Sequence, residues 1–261
     1  MIRKAKYIAC LSVAYICSFI APAYSSSIDD FSFYVTNHPP LTYEKNNAVT
    51  GIAADIFAEI LTKLGAKKSI DDIVLVNWAR AYNQTLTTPN SLLLDAYRTE
   101  EREHLFKWVG PFMTAQPSLI SKKTQNIRLK STKDFGNYII GTLRNDATEQ
   151  LLMATGIAPE NIIHLSSASQ LTRLLAVGRI DILAYDWLPA RWVFKNEGYN
   201  PDTYETIWTL AEPEHYITFH KSTDDALIEA IQHALDQLKQ DGTIERIIKA
   251  YASMDATMQS K

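Results

Sequence analysis

Apolar and polar positions along the first third of the chain switch between a period of two and a helical period. The segment from Phe31 to Thr36 alternates aromatic and β-branched residues with others, which predicts a strand. The prolines Pro39 and Pro40 follow, and proline does not continue a central strand. An apolar stripe with helical spacing then runs from Ile52 to Leu64, and Gly65 after it provides a C-terminal cap.

The same alternation of short apolar runs and helical stripes continues to the end of the chain. The further predicted strands are residues 73–76, 91–95, 138–143, 162–165, 180–185 and 216–220. The further predicted helices are residues 78–86, 146–155, 169–177, 186–196, 223–240 and 243–252. A short helix capped by Thr99 is predicted to carry Arg102, and residues 117–122 are predicted to form an extended crossing segment. Two blocks of this kind predict an α/β fold with lobes built on mainly parallel sheets, whose ligands bind beyond the carboxyl ends of the strands.

The first 23 residues have the pattern of a secretory signal. Three basic residues within the first six precede an uncharged apolar run, Tyr7 to Ile20, and Ala21-Pro22-Ala23 offers the small residues that a signal peptidase recognises. The run is too short for a typical spanning helix, although a retained anchor is the alternative. Removal of this segment would leave 238 residues, enough for one large domain or two lobes.

Removal of the signal would change the chemistry of the chain in two ways. Cys10 and Cys17 would be lost, which leaves no thiol, disulfide or thiolate metal ligand. The formal net charge would move from -3 to -6, because three basic residues and no acidic ones are removed. A mildly acidic exported chain is not expected to bind nucleic acid.

Two arginines follow the strand predicted at residues 91–95. Arg102 lies one turn beyond Thr99, where a guanidinium can present two parallel donors to a carboxylate. The alternative is an exposed arginine paired with Glu101 or Glu103. Arg98 precedes the cap and could face the ligand or turn away from it.

Other polar residues at the ends of predicted strands are candidates for the same site. Trp78 begins a helix and could form a cleft wall or pack in the core, and His38 lies in a loop where it could bind a ligand or have no special role. Asn145 and Asp146 come where a strand runs into a helix, so they could favour an anion, or Asp146 could simply cap its helix. Asp186 could likewise be a cap, or it could receive an ammonium.

No catalytic arrangement is evident. The chain lacks a Gly-x-Ser-x-Gly motif and a histidine pair at metal-binding spacing. The acidic pairs Asp71-Asp72 and Asp224-Asp225 occupy turn and helix-start positions, where solvated caps explain them better than acid–base chemistry. We therefore expect no catalysis, no metal and no cofactor.

Four motifs together resemble the extracellular solute-binding proteins of family 3, the amino-acid-type periplasmic receptors of ABC transporters. These motifs, which cover essentially all of the predicted mature chain, are Pro39-Pro40-Leu-Thr-Tyr43 with Thr50-Gly-Ile-Ala-Ala-Asp55, Arg98-Thr-Glu-Glu-Arg102 with Phe106 to Pro111, Leu175-Ala-Val-Gly-Arg-Ile-Asp181, and Leu238 to Ile248. The resemblance implies two lobes that close on a ligand, joined by crossing strands near residues 118–121 and 217–220. It divides the chain into a signal at 1–23, lobe 1 at 24–117 and 217–261, and lobe 2 at 118–216.

The resemblance also implies roles for individual residues. Arg102 matches the residue that grips an α-carboxylate, Trp78 an aromatic wall and Asp186, next to Tyr185, the acid that receives an α-ammonium. Three positions depart from the family pattern: Asn145 stands in a turn that usually carries glycine and threonine, and Asp95 and Tyr97 stand where many amino-acid pockets have small residues. An extra acid at position 95 could neutralise Arg102 or favour a cationic ligand.

The sequence therefore predicts a monomeric periplasmic protein that binds a small polar, amino-acid-like ligand for an inner-membrane ABC permease. The alternatives are a ligand-sensing partner of a membrane receptor and a periplasmic dehydratase-type enzyme on the same fold. The enzyme would need Asp95, Asp186 or His38 as its acid or base.

Overall fold

Two five-stranded sheets flanked by helices form the protein in a computed structural model, which describes residues 27–144 and 146–253. The strands are β1 Ser32–Val35, β2 Tyr43–Lys45, β3 Ala48–Thr50, β4 Ile73–Leu75, β5 Ser91–Tyr97, β6 Phe106–Thr114, β7 Pro117–Lys122, β8 Ile140–Leu143, β9 Ile162–Leu165, β10 Ile182–Asp186, β11 Tyr204–Thr209 and β12 Glu214–His220. The helices are α1 Ile52–Leu64, α2 Trp78–Thr87, α3 Ala147–Ala154, α4 Ala168–Ala176, α5 Trp187–Asn196, α6 Asp225–Gln240 and α7 Thr243–Ser253. The predicted α/β class with two lobes is confirmed.

The first sheet, with strand order β4-β1-β5-β12-β6, forms lobe 1. Strand β1 pairs in parallel with β4 and β5, whereas β12 runs antiparallel to β5 and β6. The carboxyl ends of β1 and β5 therefore lie at the same edge as the beginning of β12. Helices α1, α6 and α7 pack together on this lobe, so the described chain both starts and ends in it.

The second sheet, with strand order β11-β7-β10-β8-β9, forms lobe 2. Strands β10, β8 and β9 are parallel, and β7 runs antiparallel to β10 and β11. Both sheets are thus mixed, and the prediction of mainly parallel sheets is wrong. Every antiparallel pair within these sheets involves β6, β7, β11 or β12. These are the strands just before and just after the two points where the chain passes from one sheet to the other.

Each lobe has its own apolar core. In lobe 1, Phe33 and Phe57 are fully buried and meet edge to face at 5.0 Å between ring centroids. In lobe 2, Phe135 and Phe194 lie on either side of the sheet in two separate buried clusters. A fully buried side chain of this size stabilises the fold by about 1.5–3 kcal/mol. The apolar stripes predicted from the sequence supply most of these core residues.

The chain passes between the sheets twice, at residues 115–116 and 210–213. The two passages lie side by side, since the Ala115 amide donates to the Pro213 carbonyl at 2.8 Å and the Leu210 amide to the Pro117 carbonyl at 2.8 Å. The segments expected to cross, 118–121 and 217–220, instead lie inside β7 and β12. The sheets therefore change a few residues before the expected boundaries at 117 and 216.

Several local predictions need correction. Residues 100–105 form successive turns rather than a short helix; in them the Arg102 amide donates to the Thr99 carbonyl at 3.0 Å. Strands β2, β3, β6 and β11 were not predicted, and β5 runs on to Tyr97. The signal peptide prediction, residues 1–23, lies outside the described residues and stays a prediction. None of the helices in the described ranges has the length and apolar character needed to cross a bilayer.

Candidate functional site

Polar side chains from three strands of lobe 1 meet at one edge of its sheet. His38 follows the end of β1, Asp95 and Tyr97 lie at the end of β5, and His215 is at the start of β12 opposite Tyr97. The antiparallel direction of β12 is what brings its first residues to this edge. The ladder between β12 and β5 shifts register between Tyr216 and Thr218, opposite the stretch of β5 that contains Asp95.

Asp95 is bonded by two histidines. Its Oδ2 lies 2.8 Å from His38 Nδ1 and its Oδ1 lies 2.6 Å from His215 Nδ1. Asp95 is 4% exposed and the His215 side chain is fully buried, with its ring stacked on Phe112 at 5.8 Å. Asp95 thus pairs with the two histidines and not with Arg102, so the first of the two possibilities for this acid, neutralisation of Arg102, is not observed.

The charges in this cluster reinforce one another. Burial alone would raise the pKa of Asp95, but the charges and hydrogen bonds of His215 and His38 hold it well below its usual range. Burial alone would lower the pKa of His38, but its bond to Asp95 and the charges of Asp95, Asp186 and Asp146 raise it to about 9. At neutral pH the carboxylate is ionised and His38 is protonated.

Tyr97 connects this cluster to lobe 2. Its phenol donates to Asp186 Oδ2 at 3.3 Å, and Asp186 lies at the end of β10. Asp186 Oδ1 accepts from the Leu188 amide at 3.3 Å, as the N-cap of α5, and from the Gln116 amide at 3.5 Å. Burial raises the pKa of the Asp186 carboxyl, against the charges of two histidines, and burial beside carboxylates raises that of the Tyr97 phenol far above its usual range.

Arg102 lies next to Tyr97 but outside the histidine–carboxylate cluster. Its Nη1 donates to the Tyr97 carbonyl at 3.3 Å, and the guanidinium carbon lies 5.3 Å and 5.5 Å from the ring centroids of Trp78 and Tyr82. Among the described residues no carboxylate lies within ion-pair distance of Arg102. Of the two acids that could pair with an exposed arginine here, Glu103 instead pairs with Arg98, and Glu101 interacts with the charge of Arg102 without forming an ion pair.

Arg98 faces a different surface. It binds Glu103 through two hydrogen bonds of 2.6 Å and 2.5 Å and lies 5.3 Å from the Tyr216 ring centroid and 5.9 Å from that of Trp108. It lines a surface pocket of about 510 Å³ beside the second passage between the lobes, together with Glu212. A ligand role for Arg98 in the cleft stays a prediction that this geometry does not favour.

The remaining candidates are placed as follows. Trp78 begins α2 and is 40% exposed, so it is not a core residue. Tyr185 is buried next to Asp186, and burial raises the pKa of its phenol. Asp146 caps α3 by accepting from the Thr148 amide at 2.8 Å. Asn145 lies outside the described residues, and its role stays a prediction.

Sequence reasoning missed His215, Phe112 and Tyr82. The signal for His215 was available, because alternation along β12 places it in line with the buried residues Ile217 and Phe219. Among residues 27–144 and 146–253, no three histidine, cysteine, aspartate or glutamate side chains are arranged to hold a metal ion.

Comparison with known proteins gives the family. Residues 33–254 match the bacterial extracellular solute-binding proteins, family 3. The L-cystine-binding protein TcyA of Bacillus subtilis (strain 168) is 21% identical over 223 residues, which are 84% of this chain and 80% of TcyA. The membrane-bound lytic murein transglycosylase F of Methylobacillus flagellatus is 23% identical over 225 residues, 83% of this chain but 47% of that protein.

A solved structure shows the same fold. It is an ABC uptake transporter substrate-binding protein from Streptococcus pneumoniae with bound histidine, which superposes with a TM-score of 0.69 at 17% identity and covers 88% of this chain and 96% of its own. The match to the family extends over nearly all of both lobes. The chain belongs to the bacterial extracellular solute-binding proteins of family 3.

Proposed function

We propose that this protein captures a small polar, amino-acid-like ligand between its two lobes in the periplasm and delivers it to an ABC-type permease in the inner membrane. The observation that carries this proposal is Arg102, which forms no ion pair with a carboxylate among the described residues and stacks on Trp78 and Tyr82 beside the edge where the strands of lobe 1 end. A guanidinium on an aromatic surface is oriented to bind a carboxylate through two parallel hydrogen bonds.

The lobes would close around the ligand by movement at the paired passages 115–116 and 210–213. Contacts between the described parts of the two lobes include the Tyr97–Asp186 hydrogen bond, an aromatic contact between Tyr43 and Trp192 at 5.5 Å, and Leu188 packed on the core of lobe 1. Small-angle X-ray scattering with and without ligand would detect this closure as a decrease in the radius of gyration.

We also propose that the buried acids contribute to binding and do not catalyse a reaction. Asp95 has both oxygens bonded by histidines and a lowered pKa, which makes it a poor general base. Incubation with prephenate-like acids, followed by NMR, should leave the acids unchanged. Product formation that depends on Asp186 or His38 would instead favour the dehydratase-type alternative.

The test of the proposal starts with the ligand. A thermal-shift screen over amino acids, small acids, polyamines and short peptides, with native mass spectrometry of the purified protein, should identify a carboxylate that raises the melting temperature. Calorimetry with that ligand should then show loss of binding in Arg102→Ala, by about a hundredfold or more if the ion pair is buried.

A matched control is Arg173→Ala, which removes an arginine from lobe 2 that pairs with Glu197. This variant should bind as the unsubstituted protein does. Equal affinity of the Arg102→Ala variant and the unsubstituted protein would contradict the proposed grip. A role in sensing rather than uptake would appear as permease-independent signalling through a membrane receptor in cells.

A further inference from the structure

We infer that the site between the lobes selects small carboxylates without an α-ammonium, such as 2-hydroxy acids, over the corresponding amino acids, because Tyr97 holds the acid that would receive the ammonium. This inference rests on the proposed function and narrows its ligand class. It makes Tyr97 the residue that determines specificity at this position.

Asp95 and Asp186 are the two buried acids at the strand ends. Both oxygens of Asp95 are bonded to histidines, at 2.8 Å and 2.6 Å. Asp186 Oδ1 accepts from two backbone amides and Oδ2 accepts from the Tyr97 phenol. Each acid is 4% exposed. Neither one therefore offers an ammonium a carboxylate oxygen that lacks a protein donor.

Arg102 and His38, in contrast, do have unused hydrogen-bonding capacity. Arg102 uses one of its five N–H donors, toward the Tyr97 carbonyl. His38 is a cation whose side chain is 26% exposed. Both groups attract an anion and repel an ammonium. The groups with unused hydrogen-bond donors thus suit the carboxylate of a ligand.

The buried Nε2 of His215 has no hydrogen-bond partner among the residues that the structure describes. Because Nδ1 of this ring faces the ionised Asp95, Nδ1 carries a proton and donates to that carboxylate. A hydroxyl can donate to Nε2 or accept from it, whereas an ammonium can only donate. An ammonium would have to approach with His38 nearby, since the two imidazole centroids are 6.4 Å apart.

Tyr97 is held in place by two contacts besides its bond to Asp186. Its ring packs on the His215 ring at 4.8 Å between centroids, and its carbonyl accepts from Arg102. An ammonium on Asp186 Oδ2 would have to share that oxygen with the phenol, or move the phenol away and leave the hydroxyl in need of another partner. A ligand without an ammonium leaves the Tyr97–Asp186 bond intact.

The experiment compares matched pairs of ligands by calorimetry at neutral pH. Each pair is an L-amino acid and the 2-hydroxy acid with the same side chain. For pairs that bind, the hydroxy acid should be tighter by about tenfold or more in the unsubstituted protein. Tyr97→Phe keeps the ring but frees Asp186 Oδ2, so it should shift the ratio toward the amino acid by about tenfold.

The matched control is Tyr251→Phe, which removes the donor of another Tyr–Asp hydrogen bond, 2.7 Å long, from Tyr251 to Asp55 in lobe 1. It should leave the ratio unchanged even if stability falls. Tighter binding of the amino acids by the unsubstituted protein would overturn the inference and leave the proposed function standing. The same ratio in both Tyr→Phe variants would also overturn the role of Tyr97, whereas no binding by either series would contradict the proposed function together with the inference. The comparison in the unsubstituted protein is decisive even if a variant does not fold.

Discussion

The Tyr97 phenol and the Asp186 carboxylate form a hydrogen bond of 3.3 Å that joins the end of β5 in lobe 1 to the end of β10 in lobe 2. Both residues are followed directly by elements of the candidate site, the turn that carries Arg102 and helix α5. The same bond therefore contributes to the contact between the lobes and to the chemistry of the space where a ligand would bind.

This relationship predicts energetic coupling between the two residues. Tyr97→Phe and Asp186→Asn should show a coupling of about 1 kcal/mol in a double-mutant cycle of urea unfolding, because each substitution alone removes the same charge-assisted hydrogen bond. Effects that add to within about 0.3 kcal/mol would show that the bond does not contribute to the stability of the folded state.

The second prediction concerns Asp95, the acid shared by two histidines. Asp95→Asn should lower the free energy of unfolding by about 2–4 kcal/mol, because it removes the buried negative charge that balances His38. Chemical denaturation followed by circular dichroism measures this change.

The control for Asp95 is Asp225→Asn. Asp225 also pairs with a cation, Lys107, but its side chain is 81% exposed. Screening by solvent should make its loss hard to detect. If the two variants lose the same stability, the buried His–Asp–His cluster is not a special source of stability.

The third prediction is a loss of stability at alkaline pH. His38 has a pKa of about 9 in the folded protein against 6.5 in the unfolded chain, so the folded state binds its proton more tightly. The stability that this provides is fully present below about pH 6.5 and is lost as the pH rises through 9, to a total on the order of 3 kcal/mol.

Unfolding experiments between pH 6 and pH 10 should therefore show a steeper decline for the unsubstituted protein than for His38→Gln. NMR titration of the His38 ring would report its pKa directly. Asp95 affects stability at acidic pH instead, because its pKa is lowered in the folded protein. The stability that Asp95 contributes is present above about pH 4 and is lost as the pH falls below that value. Parallel profiles of stability against pH for the unsubstituted protein and for His38→Gln would contradict the assigned charge of His38.

The fourth prediction concerns Gly51, which supports the loop that carries His38. Gly51 has φ of +127°, and a Cβ there would overlap the carbonyl oxygen of Leu41. The amides of Ile52 and Ala53 hold this loop by donating to Pro40 and Leu41. Gly51→Ala should cost about 3 kcal/mol or more and weaken ligand binding as well, which thermal denaturation and calorimetry would show.

Gly65→Ala provides the comparison for Gly51. Gly65 also has positive φ, +65°, but no atom lies within 4 Å of a Cβ built on it. Its substitution should cost only about 1 kcal/mol, the ordinary penalty for a left-handed alanine. If the two alanine variants were equally stable, contact with the Leu41 carbonyl would not constrain the loop.

The prediction from sequence succeeded where side-chain periodicity and local capping decide the structure. The stripe of α1, the cap at Gly65 and the strand β9 at residues 162–165 were predicted close to their observed bounds. The strand β6, from Phe106 to Thr114, was missed because its glycine and proline interrupt the alternation of apolar residues. It forms because β12 pairs along it.

The ligand site itself stays a prediction, and the structure places its proposed members in different relationships from those expected. Arg102 was recognised from its position after a strand, and Asp186 from its place before a helix. Which acid meets which base could not be predicted, because Asp95 and His215 are 120 positions apart along the chain. A reader of the sequence alone would pair Asp95 with the nearby Arg102, whereas the structure pairs it with two histidines.

The sequence by itself determined the α/β class, the helices and most of the strands, because hydrophobic periodicity and caps act within a few residues. It also determined family membership, through motifs spread over the whole chain. Only the tertiary structure decided that β12 runs antiparallel to β5, which places His215 on Asp95, and that Tyr97 reaches Asp186 in the other lobe. The physical reason is that buried polar groups must find partners wherever the fold brings them, and those partners come from strands that are distant in the sequence.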